Sequence, residues 1–370
     1  MTGENGRPAT MRAALLLAAG RMEVREIPVP EPAEGEVLLR ITGAGLCGSD
    51  AALFTQGMAA FPPDRRGELP LVISHEFAGE VVELGRSVDG LHLGEVVACG
   101  AGISCGACRA CTAGRTNLCE EYRTLGAHFN GGLAQYCAVP ASVCVPASPL
   151  GASGDDVALA QPMAVASHAL SRAHVTAADR VLVIGCGGIG AFAVWAAKSL
   201  GVHVSATDLR PDRLGVAAAL GADWTFDGST TSVQQAVAQG WGWNVVIETT
   251  GAQSALDLAI SGARPGARIV QLGLHHQPRA LPLKSLTLNE VDIIASYAHV
   301  CAQDLPRALS LLATRPQGWA DIAPTVSTLS DVVEDALVPL ATGDAGRIKA
   351  LVDPFAVSTR PYSREKGDQS

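Results

Sequence analysis

Residues 180–208 read RVLVIGCGGIGAFAVWAAKSLGVHVSATD and give the clearest indication of the fold. The apolar start of this stretch, residues 181–184, is typical of a buried strand, and a glycine-rich turn follows directly. Residues 191–200 then predict a helix, and residues 202–207 predict a second strand that ends at Asp208. This order of strand, glycine turn, helix, strand and acid is the one that a dinucleotide-binding βαβ unit requires.

The glycine turn predicts where a pyrophosphate would bind. Glycine lets the backbone approach the phosphates closely, and the N-terminus of the following helix presents free N–H groups and the positive end of its dipole. The predicted cofactor contacts of this turn are Gly185, Gly187, Gly188, Ile189 and Gly190.

The acid at the end of the second strand bears on the choice of cofactor. The Asp208 carboxylate can accept both ribose hydroxyls and would repel a 2′-phosphate, which favours NAD. Arg210 and Arg213 lie nearby, and an arginine can instead bind that phosphate. We rank the carboxylate first because it ends the strand, and we keep Arg213 among the predicted cofactor-binding residues.

Outward from this unit, the chain changes character near residue 156. The part before it shows short apolar alternations broken by Gly and Pro, which predicts mostly β-structure. The part after it alternates apolar strands with Ala-rich helices, which predicts an α/β fold with a doubly wound parallel sheet. The predicted strands of that sheet are 181–184, 202–207, 224–226, 245–249, 268–272 and 292–296. A length of 370 residues with 48% hydrophobic content is sufficient for two such domains.

Four cysteines follow one another in GISCGACRACTAGRTNLCEE, residues 102–121. Thiolates at the spacing of Cys105, Cys108, Cys111 and Cys119 can close tetrahedrally on one zinc ion. A disulfide cluster is the alternative, but the chain has no apolar signal segment, so we expect a reducing compartment and metal-bound thiols. Four thiolates leave no open position for a substrate, so this site would be structural and any chemistry would lie elsewhere.

Candidates for that chemistry come earlier in the chain. Cys47 lies in GAGLCGSD, residues 43–50, and His75 and Glu76 lie in LVISHEFAGEVVELG, residues 71–85. Cysteine and histidine far apart in sequence can meet on one metal ion. Taken alone they prove little, because a free cysteine is often a small buried hydrophobe and a lone histidine is often a hydrogen-bonded core residue.

Together these motifs resemble the zinc-containing medium-chain dehydrogenase/reductase family, the alcohol and polyol dehydrogenases. The resemblance runs from about residue 11 to 354, and GLCGSD, the His-Glu pair, the four cysteines and GCGGIG occur in the family's order and at its intervals. Within the family, the chain is most similar to the sorbitol, butanediol and threonine dehydrogenase branch.

The resemblance implies a division into domains. Residues 1–155 would form a GroES-like irregular β-barrel catalytic domain that contains the zinc lobe, residues 99–120. Residues 156–297 would form the Rossmann NAD-binding domain, and residues 298–370 would return to the catalytic domain and end in a C-terminal tail. The active site would lie in the cleft between the domains.

The resemblance also implies an activity: reversible oxidation of a secondary alcohol, diol, polyol or aminopolyol to the ketone, with NAD as hydride acceptor and zinc to stabilise the alkoxide. Zinc would occupy two sites per chain. A zinc-poor reductase of the same fold, acting on an activated double bond or a quinone, is one alternative. A non-catalytic nucleotide-binding module is another, although the retained cysteine, serine, histidine and glutamate argue against it.

The resemblance assigns roles to individual residues. Cys47 and His75 fall on zinc-ligand positions, and Glu76 falls on an acidic position that ligates directly or through water. Ser49 falls on the hydroxyl position that passes the substrate proton outward, and Asp50 falls on a position that orients the ligand histidine. The alternative for Ser49 and Asp50 is ordinary turn chemistry after a strand.

Three further positions carry open alternatives. Lys349 falls where relatives place a basic residue toward the cofactor, and a surface lysine is the alternative. His275 and His276 follow the fifth strand near the expected nicotinamide position, and they either touch substrate or lie in a solvated loop.

The sequence departs from the family at three positions. Gln161, in AQPMAVASHAL, stands where the branch usually has a glutamate ligand, and a neutral amide binds zinc less well than a carboxylate. Ala52 stands where many relatives have a histidine that completes a proton relay. Ser74 replaces the more usual glycine before the ligand histidine, and we assign it no function. Loss of the catalytic zinc is the alternative, but we retain the ion because Cys47, His75 and Glu76 are all present. Gln161 would then be a weaker ligand, with Glu76 or water filling the gap.

Charge and hydropathy narrow the partners. The net charge is −9, which gives no attraction to nucleic acid or to an anionic membrane, and no apolar run approaches the ~20 residues of a membrane span. We therefore expect a cytoplasmic protein that binds a small alcohol or polyol, and the family resemblance implies a homodimer or homotetramer.

Overall fold

The computed structural model describes residues 7–147, 154–275, 277–343 and 346–364. The chain divides into two compact units, one made of residues 1–161 and 300–370 and the other of residues 162–299. The sequence places these divisions a few residues earlier, at 155/156 and 297/298.

The first unit begins with a series of short strands and few helices. Its strands are β1 (Thr10–Ala18), β2 (Arg21–Pro28), β3 (Glu36–Leu46), β4 (Leu71–Val72), β5 (Glu76–Leu84), β6 (Val96–Cys99), β7 (Gly102–Ile103), β8 (Arg123–Thr124), β9 (Tyr136–Pro140) and β10 (Cys144–Pro146). Its helices in this part are α1 (Gly48–Gln56), α2 (Arg109–Thr112) and α3 (Gly154–Val157).

The second unit alternates helices and strands. Helix α4 (Ala160–Arg172) leads into it, and the following elements are β11 (Arg180–Ile184), α5 (Gly190–Lys198), β12 (His203–Asp208), α6 (Pro211–Ala219), β13 (Trp224–Asp227), α7 (Thr230–Ala238), β14 (Trp243–Glu248), α8 (Gln253–Gly262), β15 (Ala263–Gln271), α9 (Leu283–Leu288) and β16 (Asp292–Ala295).

The chain then returns to the first unit. The elements here are α10 (Cys301–Ala313), β17 (Thr325–Ser327), a π-helical turn (Val333–Leu337), α11 (Val338–Thr342), β18 (Ala350–Val352) and β19 (Arg360–Pro361). β19 lies close to the C-terminal end of the described residues. There Arg360 donates two hydrogen bonds to the buried Asp155, at 2.7 and 2.8 Å.

The largest sheet of the first unit has the strand order β10-β6-β5-β3-β18-β17-β19, with β9 also paired to β3. Two smaller sheets, β2-β1-β4 and β7-β8, complete the unit. This is the GroES-like barrel that the sequence predicts. β3 and β5 run antiparallel with Gly45 opposite Glu76, so the end of β3 lies beside the start of β5. That pairing brings together two segments that are remote in sequence.

The second unit contains a six-stranded sheet of order β13-β12-β11-β14-β15-β16, and every pairing in it is parallel. This confirms the six predicted strands and the doubly wound Rossmann fold. The order reverses at β11, which pairs with β12 on one side and β14 on the other. Such a switch point places the carboxyl ends of neighbouring strands around a crevice where ligands bind in this fold.

Within the described residues, none of the helices has the length and apolar character that crossing a membrane demands.

Candidate active site and zinc lobe

The first unit brings Cys47, His75 and Glu76 together. Each offers one ligand atom, and these atoms lie within 4.8 Å of one another. Cys47 follows β3 and is the N-cap residue of α1, whereas His75 directly precedes β5 and Glu76 begins that strand. A thiol, an imidazole and a carboxylate are all zinc ligands, so the donor set fits this metal.

A buried carboxylate holds the backbone beside both of the first two ligands. Asp50 is only 1% exposed. Its Oδ2 accepts a hydrogen bond from the Cys47 N–H at 2.8 Å, and its Oδ1 accepts one from the Ser74 N–H at 3.2 Å. The same Oδ1 lies 3.6 Å from His75 Nδ1, which is the contact through which Asp50 would orient the imidazole.

Charge couples the two ligands. Burial alone would lower the pKa of His75, but the Asp50 carboxylate and the Cys47 thiol outweigh burial and raise it well above its ordinary value. Burial and the Glu76 carboxylate raise the pKa of Cys47, but the hydrogen bond with His75 and the charge of Lys349 outweigh them and lower it. The hydrogen bond between the two side chains therefore lowers the pKa of the thiol and raises the pKa of the imidazole together, and a bound zinc ion would take the place of the shared proton.

Lys349 lies inside this cluster. It is 2% exposed, Glu76 is fully buried, and the Lys349 ammonium contacts Glu76 Oε2. Burial lowers the pKa of Lys349, but the Glu76 carboxylate outweighs burial and raises it. The surface-lysine alternative is therefore wrong. Its role toward the cofactor stays a prediction, and no sequence pattern predicts its ion pair with Glu76.

The missed contact has a structural origin. Lys349 directly precedes β18, which pairs with β3 so that Leu351 lies opposite Gly45. Gly45 in turn lies opposite Glu76. The pairing of three strands that are distant in sequence brings the lysine to the carboxylate, and no local sequence pattern predicts this contact.

Two other predicted site residues occupy different environments. Ser49 is exposed in the first turn of α1, two residues beyond Cys47. Gln161 is 6% exposed in the first turn of α4. Its ligation of zinc stays a prediction.

The four cysteines of the predicted zinc lobe also converge, with their sulfur atoms within 4.8 Å of one another. The Cys105 N–H donates to Cys119 Sγ at 3.2 Å, and the Cys108 N–H donates to Cys105 Sγ at 3.3 Å. Backbone donors lower the pKa of Cys108 to about 6, whereas burial raises the pKa of Cys111 to about 11. All ten cysteines lie in the described part of the chain and carry free thiols. The lobe therefore brings together four sulfur atoms, a donor set that fits zinc.

In the second unit, the glycine turn has the geometry of a phosphate-binding loop. Gly185 has φ +88°, and a Cβ there would lie 2.5 Å from the Thr250 side chain. A Cβ at Gly190 would lie 1.7 Å from the Gly185 carbonyl oxygen, so α5 packs closely onto the turn after β11. At Gly187 a Cβ would meet only Arg213 Nη1, at 3.6 Å. Gly188 and Ile189 complete the turn, and Ile189 is the N-cap residue of α5.

Asp208 ends β12 next to this turn. Its Oδ2 accepts a hydrogen bond from the Cys186 N–H at 2.7 Å, and its Oδ1 accepts one from the Arg210 N–H at 2.9 Å. Arg213 Nη1 lies 3.8 Å from the same carboxylate. Asp208, which favours NAD, and Arg213, which could bind a 2′-phosphate, are therefore neighbours.

A buried polar network lies at the end of β14. Glu248 is fully buried, and its carboxylate accepts hydrogen bonds from the backbone and hydroxyl of Thr250. Gln271 Nε2 lies 3.0 Å from His275 Nε2, which is itself 3.7 Å from Glu248 Oε2. The His275 side chain is 13% exposed, so it is not a solvated loop residue. His276 lies outside the described residues.

Comparison with known proteins identifies the family. The model of the alcohol dehydrogenase GroES-like domain matches residues 33–149, and the model of zinc-binding dehydrogenases matches residues 188–314. Sorbitol dehydrogenase from Bacillus subtilis is 31% identical over 83% of this chain and 87% of its own length.

Two solved structures share the fold over nearly the whole chain. One is a short chain alcohol dehydrogenase from E. coli CFT073 complexed with NADH, with TM-score 0.84, 26% identity and coverage of 94% of this chain and 100% of that one. The other is a putative zinc-binding dehydrogenase from Sinorhizobium meliloti 1021 bound to NADP, with TM-score 0.85, 28% identity and the same coverages.

The fold and these relatives define an oxidoreductase that acts on CH–OH groups. The chain belongs to the zinc-containing medium-chain dehydrogenase/reductase family, among the alcohol and polyol dehydrogenases. Its activity is NAD(P)-dependent oxidation of an alcohol or polyol.

Proposed function

We propose that this enzyme oxidises a secondary alcohol, diol, polyol or aminopolyol reversibly to the ketone, with zinc at the Cys47 site and NAD as cofactor. The observation that carries the proposal is the convergence of Cys47, His75 and Glu76 within 4.8 Å. A reductase that works without zinc has no need for a thiol and an imidazole at that distance from a buried carboxylate.

Cys47 and His75 would hold the catalytic zinc, with Glu76 or Gln161 as further ligands. When bound, zinc supplies Lewis-acid stabilisation of negative charge on the substrate oxygen. Asp50 fixes the backbone of Cys47 through the Cys47 N–H and lies against His75, so it keeps both ligands in place. A second zinc would occupy the four-cysteine lobe and contribute to folding rather than to chemistry.

The substrate proton needs an acceptor, and Ser49 is the residue that we assign to it. Its hydroxyl is exposed two residues beyond Cys47, where it can accept the proton and pass it outward. Ala52 provides no side chain to continue the transfer, so the proton would pass from Ser49 to cofactor hydroxyls and water. A bound nicotinamide would accept the hydride from the substrate carbon, which would leave that carbon as a carbonyl.

NAD is the proposed cofactor because Asp208 ends β12, where a carboxylate would bind the ribose hydroxyls and repel a 2′-phosphate. Gly185, Gly187, Gly188, Ile189 and Gly190 would contact the pyrophosphate. Steady-state kinetics with both cofactors test the choice: we expect a higher kcat/KM with NAD, and a higher value with NADP would overturn it. The neighbouring Arg213 makes this a real test, because an arginine can bind that phosphate.

The alternative is a zinc-poor reductase of an activated double bond or a quinone. Metal analysis of the purified protein distinguishes the two, because our proposal requires two zinc ions per chain and the alternative requires one. A panel of diols, polyols and aminopolyols, run in parallel with enones and quinones, then assigns the substrate class. Activity confined to enones or quinones would refute the proposal.

We also propose that the chain assembles as a homodimer or homotetramer in the cytoplasm, where its ten thiols stay reduced. In the described residues β16 pairs only with β15, and exposed apolar side chains lie on β16 and on α9, the helix that precedes it in the chain. Leu283, Leu288 and Ile293 are 67%, 74% and 38% exposed. Such an edge favours pairing with a second chain. Light scattering of wild type and Ile293→Lys tests it: we expect a smaller assembly for the variant, and a monomeric wild type would refute the proposal.

A further inference from the structure

Ser74, the residue before the ligand histidine, has a backbone conformation that serine rarely adopts. Its φ is +78°, in the left-handed region, and the residue is fully buried. A side chain costs conformational energy there, and glycine avoids that cost. The family's more usual glycine at this position fits this geometry, so the serine requires a separate explanation.

The surrounding chain fixes this conformation. The Gly132 N–H donates to the Ser74 carbonyl oxygen at 3.1 Å. A Cβ at Gly131 would lie 1.8 Å from that oxygen, and one at Gly126 would lie 2.4 Å from it. Two glycines therefore press directly on the Ser74 backbone, and the peptide cannot turn without displacing them.

The Ser74 side chain offsets the strain by making a contact that glycine cannot make. Its hydroxyl donates to the Gly45 carbonyl oxygen at 2.9 Å, and its N–H donates to Asp50 Oδ1 at 3.2 Å. Gly45 lies two residues before Cys47, and Ser74 directly precedes His75. One residue therefore bonds to the segment that carries one ligand and to the carboxylate that contacts the other.

We propose that Ser74 is a positioning residue for the metal site: its hydroxyl bond to Gly45 fixes the Cys47 segment relative to His75. The inference rests on the proposed zinc at these two residues. Residues that orient metal ligands typically change metal affinity by about 10–100-fold when they are removed. Loss of the hydroxyl should therefore speed release of zinc from this site and leave the four-cysteine lobe unaffected.

Two variants separate positioning from simple stability. Ser74→Ala removes the hydroxyl and keeps the strained Cβ, whereas Ser74→Gly removes both. We expect Ser74→Ala to melt below wild type and Ser74→Gly to melt at or above it. Both should release zinc from the Cys47 site to a chelator about tenfold faster than wild type. A purely structural serine predicts instead that zinc retention follows the melting temperature.

Ser87 provides the matched control. It also has a positive φ, +60°, but it is exposed and its hydroxyl bonds to Glu34 instead of to the site. Ser87→Gly should leave both zinc-release phases unchanged. The phase that belongs to the Cys47 site is the one that Cys47→Ser abolishes.

Each outcome has a defined meaning. If wild type shows two zinc ions and Ser74→Gly releases them at the wild-type rates, Ser74 does not position the site, and the proposed function stands. If wild type shows a single zinc ion and a single release phase, the proposed function fails and this inference fails with it. Faster release from the lobe phase in Ser74→Gly would also overturn the inference, because the effect would then be global.

Discussion

The four-cysteine lobe and the Cys47 cluster are built differently, although both bring metal-ligating atoms within 4.8 Å. The lobe draws all its sulfurs from residues 105–119 and bonds them with N–H groups of the same segment. The Cys47 cluster takes its ligands from two segments, residues 47 and 75–76, and adds Lys349 from a third.

This difference separates the two sites in charge as well as in sequence. Four thiolates around Zn²⁺ leave the lobe with an excess of negative charge and no need of outside residues. The Cys47 cluster supplies one thiolate, a neutral imidazole when metal is bound, and a carboxylate already paired with a lysine. A site with fewer charged ligands can leave a coordination position for substrate. Its geometry depends on the barrel strands that carry the ligands.

The largest expected effect follows from the loss of one cysteine ligand in the lobe. Cys105→Ser removes a ligand from the proposed structural zinc site, whose metal would contribute directly to the folding free energy. We expect a loss of about 10 °C or more in melting temperature, or insoluble protein, which corresponds to several kcal/mol for a chain of this size. Cofactor affinity of the surviving folded protein should be unchanged.

Cys301→Ala is the control for this variant, because it removes a thiol from outside both clusters. It should keep two zinc ions per chain. If Cys105→Ser leaves zinc content and melting temperature at their wild-type values, the lobe does not bind metal. The Cys47 cluster would then be the remaining candidate metal site of the described residues.

The second effect is confined to the Cys47 cluster. After zinc has been removed with a chelator, Lys349→Met leaves the fully buried Glu76 carboxylate without its counter-charge, and breaking such a pair from one side typically costs about 3–5 kcal/mol. Urea unfolding measures the loss. Glu76→Gln combined with Lys349→Met should recover part of it, because no isolated charge then remains buried.

Lys198→Met is the matched control for the lysine. Lys198 pairs with Asp223 at 2.9 Å, but both side chains are more than a quarter exposed. Exposed pairs contribute about 0–1 kcal/mol, so this variant should lie close to wild type. If both lysine variants lower the free energy of unfolding equally, the Lys349–Glu76 pair contributes no more to stability than an exposed ion pair.

The two sites should release zinc at different pH values. The pKa of His75 is raised above its ordinary value in the metal-free protein, so protons compete with zinc for this ligand even before the pH reaches that ordinary value. The affinity of the Cys47 site for zinc therefore falls as the pH falls. Protons also compete with zinc for Cys111 in the lobe, whose pKa is about 11, but four thiolates attract Zn²⁺ more strongly than one, so we expect the lobe to keep its zinc to lower pH.

Titration with a zinc indicator from pH 8 downward checks this order. One zinc per chain should leave at higher pH, together with activity, and the second should leave later, together with the tertiary structure followed by near-UV circular dichroism. Release of both ions in one step, or unfolding before activity is lost, would contradict the assignment of separate roles.

The sequence predicts the local features well and the long-range ones poorly. The glycine turn, the six parallel strands and the four cysteines are each readable from contiguous residues, because spacing alone determines what they can form. The sequence predicts a joint site for Cys47 and His75 only through the family resemblance, because the two residues are remote from each other in the chain. The position of Lys349 depends on β18 pairing with β3, and the strain at Ser74 depends on glycines more than fifty residues away. Neither is encoded in a local pattern.

The smallest expected effect concerns Gln161, the predicted weaker ligand of the Cys47 site. Gln161→Glu would add a negative charge to the first shell. With the Cys47 thiolate, neutral His75 and a ligating glutamate, the charge around Zn²⁺ falls from +1 to zero, as long as Glu76 stays paired with Lys349. A less positive site holds the metal more tightly and stabilises a deprotonated ligand less.

Gln161→Glu should therefore slow release of the catalytic zinc severalfold and raise the apparent pKa of the alcohol-oxidation pH profile. Stopped-flow chelation and kcat/KM across pH measure the two effects, and the lobe's release phase serves as the internal reference. A side chain that points away from the metal and only packs would give equal half-lives and superimposable profiles. That result would remove Gln161 from the site, and Glu76 would be the remaining candidate for the third ligand. Glu76 would then have to break its ion pair with Lys349 to bind the metal directly.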